Sequence, residues 1–367
     1  MKIECTQGNL QRGLGLVSRM VGTRTTLPVL ANVLLKTEKG RLRLSATNLE
    51  MGISTYVGGK VGEEGSVTLP AKLLAEFIAT NTDQTITIET RDDDATLKSA
   101  HYNASIKGIA ASEFPAIPEI TAELEFEVAS SELKSAITQT VFAAAVDETR
   151  PVLAGILVKI SGNTLKLVAT DSFRLAEKVL MLDKKVSRDT DVIIPARTMI
   201  EVVRLLEEGN DRMRVRLGEN QAAFSMGDTY LISRVVEGSF PDYEQIIPKE
   251  LPIKSSLTRT ELVNAMKMST LFARDAANNI KLKIFSKQIE VLATSPQLGE
   301  NKSLVPAETK GSELEIAFNA RYILDALLVL SGDKIELDFV GKLNPCVLKD
   351  PSDKTFQYII MPLRVET

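Results

Sequence analysis

The chain has 367 residues, more than one ordinary hydrophobic core holds, which predicts two or three domains. Hydrophobic residues make up 44% and charged residues 25%, as in folded soluble proteins, and no apolar run reaches the ~20 residues of a membrane helix. The N-terminus lacks the layout of a secretory signal, so a cytoplasmic location is expected. The net charge of -4 excludes a uniformly basic, nucleic-acid-coating protein, but not one whose cations share a face.

Reactive side chains are scarce. Cys5 and Cys346 stand at opposite ends without metal or redox spacing, and both are expected to be buried fillers. His101 is the single histidine, so a histidine metal cluster or a Ser-His-Asp triad is disfavoured. Phosphate-binding loops of the GxxxxGK[ST] and GxGxxG types are absent. The sequence predicts no catalytic residue, no metal and no cofactor.

Helices and strands alternate in the first third of the chain. Apolar residues near helical spacing predict a helix over residues 7–21. Residues 41–47 (RLRLSAT) alternate polar and apolar side chains, as in a half-buried strand. A second helix is expected after Pro70, because proline suits a helix start, and residues 85–89 (TITIE) predict a further strand.

The same order returns twice along the chain. The strand motif recurs at residues 164–170 (TLKLVAT) and 288–294 (QIEVLAT), which puts its final threonines 123 and 124 positions apart. Residues 130–145 match the first helix, and second helices are expected after Pro195 and Asn319. Such a period indicates a threefold repeat with one supersecondary unit per copy.

Other short motifs recur with a similar spacing along the chain. Residues 27–31 (LPVLA) recur as 150–154 (RPVLA), and 112–115 (SEFP) recur as 238–241 (GSFP). The stretches before the second helices, VTLPAK, VIIPAR and IAFNAR, begin at residues 67, 192 and 316. Boundaries are expected near residues 118–123 and 248–252, where prolines interrupt the strand pattern. The prediction is an α+β protein of three repeated domains, 1–120, 121–249 and 250–367.

Basic residues recur at one position of the repeat. Lys72, Arg197 and Arg321 each stand two residues after the Pro or Asn that opens a second helix. A cation is mildly unfavourable in a first helical turn, so either these are solvated surface charges or they face a common anion. Arg12, Arg19 and Arg24 add a basic stretch that could likewise be a solvated face. Together they favour sequence-independent binding to the phosphates of duplex DNA.

An ordered set of motifs resembles one known family. They are TLPVL at 26–30, LSATNLE at 44–50, VATDSFRLA at 168–176, GSFPDY at 238–243, FNARY at 318–322 and MPLRV at 361–365. Over essentially its whole length the chain resembles the bacterial DNA polymerase III beta subunits, the beta sliding clamps. The resemblance implies three clamp domains per chain, each with two inner helices on outer antiparallel sheets, in a ring formed by a head-to-tail homodimer.

The resemblance also implies partners and their binding groove. A clamp loader opens the ring around double-stranded DNA, and the replicative polymerase and repair proteins bind through short peptides between the second and third domains. Matching groove positions are Val152, Leu153, Thr170, Ser172, Phe173, Arg174, Leu175, Pro241, Ile246, Asn319, Tyr322, Ile359, Met361, Pro362 and Leu363. The apolar members suit a groove for an extended peptide, although Leu153, Leu175 and Ile246 alone would be read as core packing.

The implied dimer seam matches Ile106 on one side and Leu271 and Phe272 on the other, and each could equally be interior packing.

The chain also departs from the family. Asp147 and Glu148 lie near the end of the helix predicted over 130–145, where the family more often has neutral or aromatic residues. Positions 151, 152 and 245 differ as well. These departures leave open the strength of DNA contact near the central repeat and the exact shape of the peptide groove.

Two other functions remain open from the residues alone. A metal-dependent hydrolase could use Asp171 or Asp242, but Asn48 and Ser295 replace Asp171 in the other repeats. A monomeric peptide-binding adaptor would have the groove without the ring. A non-enzymatic clamp that gives the polymerase its processivity is the preferred interpretation.

Overall fold

The computed structural model describes residues 1–22, 27–206 and 212–364. Its internal contacts divide the chain into two compact units. Unit one comprises Met1–Ser130 and Arg204–Val235, and unit two comprises Ser131–Val203 and Val236–Thr367. The central repeat therefore contributes to both units. The boundaries drawn from the sequence remain a prediction.

Six segments of the described chain form α helices. They are α1 Gln7–Val17, α2 Ala71–Thr80, α3 Ser130–Val141, α4 Ala196–Leu206, α5 Arg259–Ala273 and α6 Ala320–Val329. Thr6 caps α1 by accepting a hydrogen bond from Asn9 N, and Asn319 caps α6 by accepting one from Arg321 N. Such caps satisfy backbone N–H groups that a first helical turn leaves unpaired. The predicted starts of α2, α4 and α6 are confirmed.

Unit one contains two antiparallel sheets. The five-stranded sheet has the order β5 (Lys60–Glu63), β1 (Lys2–Thr6), β7 (Thr85–Arg91), β8 (Asp94–Lys98) and β9 (Asn103–Lys107). The eight-stranded sheet has the order β10 (Leu124–Ala129), β15 (Arg212–Leu217), β16 (Gln221–Met226), β17 (Thr229–Arg234), β4 (Met51–Val57), β3 (Arg41–Thr47), β2 (Asn32–Glu38) and β6 (Ser66–Pro70). Helix α1 lies against β3, β4 and α2. Its buried Leu10 and Leu14 share the core with Leu42 and Leu44 of β3, as a helix stripe packed on a sheet face requires.

Unit two is built on one twelve-stranded antiparallel sheet. Its order is β14 (Thr190–Pro195), β11 (Gly155–Ser161), β12 (Thr164–Thr170), β13 (Arg174–Met181), β25 (Asp353–Ile360), β24 (Cys346–Asp350), β23 (Lys334–Phe339), β18 (Ile253–Thr258), β21 (Gly299–Lys310), β20 (Gln288–Ser295), β19 (Asn279–Ile284) and β22 (Leu314–Asn319). Helix α5 lies against β20, β21 and α6. The strands predicted from the Ala-Thr motif are confirmed as β3, β12 and β20, and the α+β class is confirmed.

Successive repeats are joined by strand pairing. In unit one, β17 of the central repeat pairs with β4 of the first, which sets Ile232 opposite Gly52. In unit two, β25 of the third repeat pairs with β13 of the central one, which sets Ile359 opposite Leu175. The last strand of each later repeat therefore extends a sheet of the repeat before it. In the described chain β9, the last strand of the first repeat, lies at a sheet edge.

The helix predicted over residues 130–145 is too long. Helix α3 ends at Val141, and tight turns follow in which Ala143 N donates to Thr140 O and Ala144 N to Val141 O. The Phe142 ring packs against Tyr358, with ring centroids 5.3 Å apart. Tertiary packing thus overrides the helix propensity of the alanine run. Asp147 and Glu148 consequently lie beyond the helix and not near its end.

Two smaller features complete the fold. The helix predicted over residues 7–21 ends at Val17 and continues as a 3-10 turn, Ser18–Met20. Both cysteines are buried and unpaired, as predicted. No helix in the described part of the chain is long and apolar enough to cross a membrane.

Gly108 occupies a position where a side chain has no room. An added Cβ would lie inside van der Waals contact of two backbone oxygens, Asp93 O and Thr68 O, and the adjacent Ile109 bridges to Thr68. Backbone atoms held in a sheet cannot move away as a flexible side chain does. We expect Gly108→Ala to lower the free energy of unfolding by about 1–3 kcal/mol, measured by denaturant unfolding.

The matched control is Gly8→Ala in α1, where no described atom beyond the chain neighbours and the backbone of the same helix lies within 4 Å of the added Cβ. Alanine is the better helix former by about 1 kcal/mol, so this variant should be as stable as the parent or more stable. Equal unfolding midpoints for the two variants would contradict the clash at Gly108.

Candidate functional site

A tight turn joins β12 to β13. Thr170 Oγ1 donates a hydrogen bond to Arg174 O at 2.6 Å and accepts one from Ser172 N at 3.1 Å. Asp171 Oδ1 accepts hydrogen bonds from the N–H groups of Phe173 and Arg174. Ser172 has a φ of 79°, a left-handed conformation that non-glycine residues adopt rarely. The turn leaves the Phe173 side chain 54% exposed at the surface of unit two.

The Arg174 side chain is nearly buried beside that turn. Its Nε donates to Asp171 Oδ2 at 3.0 Å and its Nη1 donates to Asp325 Oδ2 at 2.6 Å. The guanidinium lies over the Tyr322 ring, 4.5 Å from the centroid. Burial acts to lower the pKa of Arg174, but the Tyr358 hydroxyl and the two aspartates hold it above its ordinary value. Arg174 is therefore a cation held in place by hydrogen bonds to Asp171 in the turn and to Asp325 in α6.

Apolar side chains form a floor next to the turn. The buried cluster consists of Leu157, Val168, Leu175, Ile193, Tyr243, Val347 and Ile359. Half-buried side chains packed against it are Val152, Val236, Phe240, Ile246, Ile247 and Leu251. Leu175 and Ile359 are closed to solvent, so a ligand on this surface would contact the half-buried members.

A buried hydrogen-bond network holds one side of the floor. The Tyr243 hydroxyl donates to Glu177 Oε2 at 2.8 Å, and Gln357 Nε2 donates to Glu177 Oε1 at 2.7 Å. Burial and the Glu177 carboxylate raise the pKa of Tyr243 well above its ordinary value, so the phenol remains a donor. Tyr243 begins the 3-10 turn Tyr243–Ile246. The network therefore fixes Ile246 against the cluster.

The segment after β25 lies along the turn. Met361 N donates to Phe173 O at 2.8 Å, and Leu363 N donates to Ala317 O at 2.8 Å. The Tyr358 hydroxyl donates to Tyr322 O at 3.0 Å, which ties β25 to the first turn of α6. Met361, Pro362 and Leu363 are half-buried.

These contacts bring together most of the residues that the sequence singled out. Thr170, Ser172, Phe173 and Arg174 form the turn, Leu175 and Ile359 the floor, Val152 and Ile246 its edge, Asn319 and Tyr322 the start of α6, and Met361, Pro362 and Leu363 the segment beside them. Leu153 is buried next to Val152. Pro241 is exposed before the 3-10 turn, without a polar contact to the turn or the floor.

Several residues of this surface were not predicted from the sequence. Val236, Phe240 and Ile247 pack on the same cluster, and Asp325 fixes Arg174. Phe240 stands in the repeated Ser-Phe-Pro and Glu-Phe-Pro pattern, which could have identified it. Asp325 and Glu177 carried no signal, because their partners are 151 and 66 residues away.

The predicted DNA-contacting cations are exposed wherever the structure describes them. Lys72 is the second residue of α2, 90% exposed, with Glu76 Oε1 4.0 Å away. Arg197 and Arg321 are exposed second residues of α4 and α6. Arg12 is exposed on α1, and Arg19 lies in the 3-10 turn after it. Arg24 lies outside the described residues.

The predicted seam residues differ in accessibility. Ile106 on β9 is 4% exposed and packs within unit one, so its side chain has little surface to offer a second copy. Leu271 near the end of α5 is 48% exposed, and Phe272 is half-buried.

The carboxylates considered for a hydrolase are engaged elsewhere. Asp171 is bonded to two backbone N–H groups and to Arg174, and Asp242 accepts a hydrogen bond from Gln245. Across residues 1–22, 27–206 and 212–364, no three His, Cys, Asp or Glu side chains are grouped to hold a metal ion.

Comparisons with known proteins agree along the whole chain. Models of the DNA polymerase III beta subunit match at residues 1–118 (N-terminal domain), 127–242 (central domain) and 244–364 (C-terminal domain). The beta sliding clamp of Synechococcus elongatus is 32% identical over 375 residues, covering 100% of both chains.

Solved structures from the same family are similar to the chain. A DNA polymerase sliding clamp from Bacillus subtilis has a TM-score of 0.95 at 28% identity, covering 100% of both chains. A Pseudomonas aeruginosa sliding clamp bound to griselimycin has a TM-score of 0.95 at 29% identity with the same coverage. With three consecutive domain models and a full-length relative in agreement, the chain belongs to the DNA polymerase III beta subunit family, the beta sliding clamps.

Proposed function

We propose that two copies of this chain close head to tail into a ring around duplex DNA. The ring gives the replicative polymerase its processivity and catalyses no reaction, as is general in this non-catalytic family. The clamp domains would span residues 1–120, 121–249 and 250–367. The supporting observation is the strand pairing between repeats, which is used twice within the chain. Among the described strands it leaves β9 at a sheet edge, and it leaves residues 299–306 of β21 paired on one side only, with β20.

The repeats define which residues would pair between copies. The bridges Thr68–Ile109 and Ile193–Val236 make Ile109 equivalent to Val236, and hence Ser105 equivalent to Ile232. Thr47, Thr170 and Thr294 lie opposite Gly52, Leu175 and Glu300 in their hairpins. Since Ile232 pairs with Gly52 and Ile359 with Leu175, the third pair of the series joins Ser105 of one copy to Glu300 of the other.

The exposed surfaces of β9 and of residues 299–306 of β21 suit this pairing. Ser105 and Glu300 are both exposed in the single chain. Two residues that pair across strand edges face the same side of the joined sheet, and both should be exposed before the second copy covers those edges. Leu304 on β21 is 56% exposed, and Leu271 on the adjacent α5 is 48% exposed. Open edges with apolar neighbours favour association. Because donor and acceptor lie at opposite ends of the chain, the contact is heterologous, and heterologous contacts form a ring where the rotation between copies closes.

DNA binding would rest on Arg12, Arg19, Arg24, Lys72, Arg197 and Arg321. Exposed lysines and arginines on helices contact phosphates without reading bases, so binding is independent of sequence and weakens with salt. The ring would work in the cytoplasm, on the DNA of the nucleoid.

Partner proteins would bind at the surface formed by the β12–β13 turn, the floor cluster, α6 and the segment after β25. An extended peptide would place apolar side chains on the half-buried cluster and polar groups near Arg174. The clamp loader, the replicative polymerase and other proteins with a clamp-binding peptide are the proposed partners. The solved Pseudomonas aeruginosa clamp with griselimycin shows that a relative binds a ligand.

The ring closure can be tested with a disulfide. We expect Ser105→Cys combined with Glu300→Cys to form a disulfide between copies on mild oxidation, because opposed residues in antiparallel strands lie about 4.5–5.5 Å apart at Cα. Denaturing electrophoresis would show a covalent dimer. Background is low because Cys5 and Cys346 are buried, and burial raises the pKa of Cys5 to about 11.

The control pair is Ser105→Cys with Leu304→Cys. It differs by four residues of register, about 13 Å along a strand, and should cross-link poorly. Equal cross-linking yields from the two pairs, or a monomer in analytical ultracentrifugation, would contradict the proposed ring and favour a monomeric adaptor.

Topological retention on DNA can be measured directly. We expect the protein, loaded onto circular plasmid by its clamp loader, to stay bound during gel filtration and to dissociate once the plasmid is cut. Changing Lys72, Arg197 and Arg321 to Glu should weaken retention and flatten its salt dependence by about 1 unit of slope for each phosphate that is no longer neutralised. Lys342→Glu, at an exposed lysine in a strand-connecting loop, is the charge-matched control for each of the three changes made singly. Retention that is indifferent to linearisation would rule out encirclement.

The peptide surface has a matched pair of test positions. Phe173 is 54% exposed in the β12–β13 turn, and Leu49 is 51% exposed in the equivalent β3–β4 turn of unit one. We expect Phe173→Glu to weaken binding of a labelled polymerase-derived peptide by more than about tenfold, measured by fluorescence polarisation, and Leu49→Glu to leave it unchanged. Equal decreases in both variants would move the binding site away from unit two.

A further inference from the structure

A second concave site lies on the eight-stranded sheet of unit one. The cavity has a volume of about 280 Å³ and is lined chiefly by Arg43, Ser54, Tyr56, Arg216, Ser225 and Tyr230. Glu119 and Asp228 also line it, and Asp228 is paired with Arg41 at 2.7 Å. Most of its residues come from β3, β4 and β15–β17, so they sit on a rigid sheet. Neither the proposed peptide surface nor the proposed DNA contacts include any of them.

The two guanidinium groups approach the same tyrosine. Arg43 Nη2 donates to Ser54 Oγ at 3.3 Å, and Arg216 Nη2 donates to Ser225 Oγ at 3.4 Å. Ser54 and Ser225 lie opposite Tyr230 on the two strands that flank it, and Arg216 Cζ is 5.4 Å from the Tyr230 ring centroid. Burial raises the pKa of Tyr230, while the charges of Arg216 and Arg43 both act to lower it.

The surroundings do not satisfy these arginines. The Nε atoms of Arg43 and Arg216 are both shielded from solvent, and neither has a hydrogen-bond acceptor among the residues that the structure describes. Arg43 has one carboxylate contact, Glu38 at 3.3 Å, and that carboxylate also binds Tyr56 and Lys36. Within the described residues Arg216 has no carboxylate contact. A buried donor of a charged group is costly without an acceptor, so a ligand oxygen that enters the cavity and accepts from these atoms would be favourable.

The arginine lining is specific to unit one. The corresponding position in unit two is a cavity of about 400 Å³ next to Glu177, which is the repeat equivalent of Ser54. That cavity is lined by Glu177, Glu336, Asp350 and Asp353, with Lys349 and Lys354. The fold therefore accommodates either charge there, and two arginines are not required by the packing of the sheet.

We propose that this cavity is an anion site that binds a phosphate group of a small molecule, with Arg43 and Arg216 on two sides of it. Guanidinium is the side chain best suited to phosphate oxygens, because its planar fork donates two parallel hydrogen bonds. The serine hydroxyls, already within reach of both forks, supply further donors. The volume admits one phosphate or a pyrophosphate. The site stands independently of the clamp function.

The test is isothermal titration of the full-length dimer with sodium phosphate and with sodium pyrophosphate at constant ionic strength. We expect saturable binding at one site per chain. Arg43→Gln and Arg216→Gln should each weaken it roughly tenfold or more, the usual effect of removing a hydrogen bond to a charged partner. Arg91→Gln, an exposed arginine of β7 in the same unit, is the matched control and should bind as the parent does.

Two further sets of measurements distinguish a phosphate site from a general effect of charge. Arg43→Lys and Arg216→Lys retain the charge but lose the fork, so both should bind more weakly than the parent, and circular dichroism checks that all variants are folded. Succinate serves as the carboxylate probe. Absence of saturable phosphate binding, tighter binding of succinate than of phosphate, or an equal weakening in the Arg91→Gln control would each overturn the proposal.

Discussion

The backbone of an edge strand carries a row of N–H and C=O groups that need partners, and this structure depends on how that need is met. Strand β17 satisfies the free side of β4, and β25 satisfies the free side of β13. The central repeat is consequently divided between two compact units. The same pairing sets Ile359 beside Leu175, so the floor of the candidate peptide surface is a product of sheet extension.

Divergence between repeats then decides where a ligand can bind. The β3–β4 turn repeats the β12–β13 turn closely: Thr47 Oγ1 donates to Met51 O at 2.8 Å, and Leu49 has a φ of 75°. Gly52, however, stands where unit two has Leu175, and an added Cβ there would meet the Ile117 side chain at 3.1 Å. The chain itself thus covers this sheet position in unit one. The fixed arginine is also missing, because Met51 replaces Arg174.

Local sequence patterns predicted the helices and strands. Contacts between residues far apart in the chain determined the details that local patterns could not predict. The alternation in residues 41–47 identified β3, since one face of that strand is buried and the other is not. The end of α3 escaped prediction because Phe142 packs on Tyr358, 216 residues away in the chain. Similarity to a family supplied the residues of the peptide surface, yet not Asp325 or Glu177, which act by holding other side chains. The cavity between Arg43 and Arg216 was likewise invisible, because its arginines come from strands of different repeats.

In the proposed ring, sliding on DNA would place two opposite demands on one molecule. Closure would have to be strong, and strand pairing between copies would provide it through backbone hydrogen bonds. Contact with DNA would have to be weak, and the proposed contacts are long exposed side chains such as Lys72, 90% exposed, which would each contribute little and be screened by salt. An acidic chain with a few exposed cations on its helices therefore suits a protein held on DNA by its topology. Stronger phosphate contacts would slow its movement without making its attachment more secure.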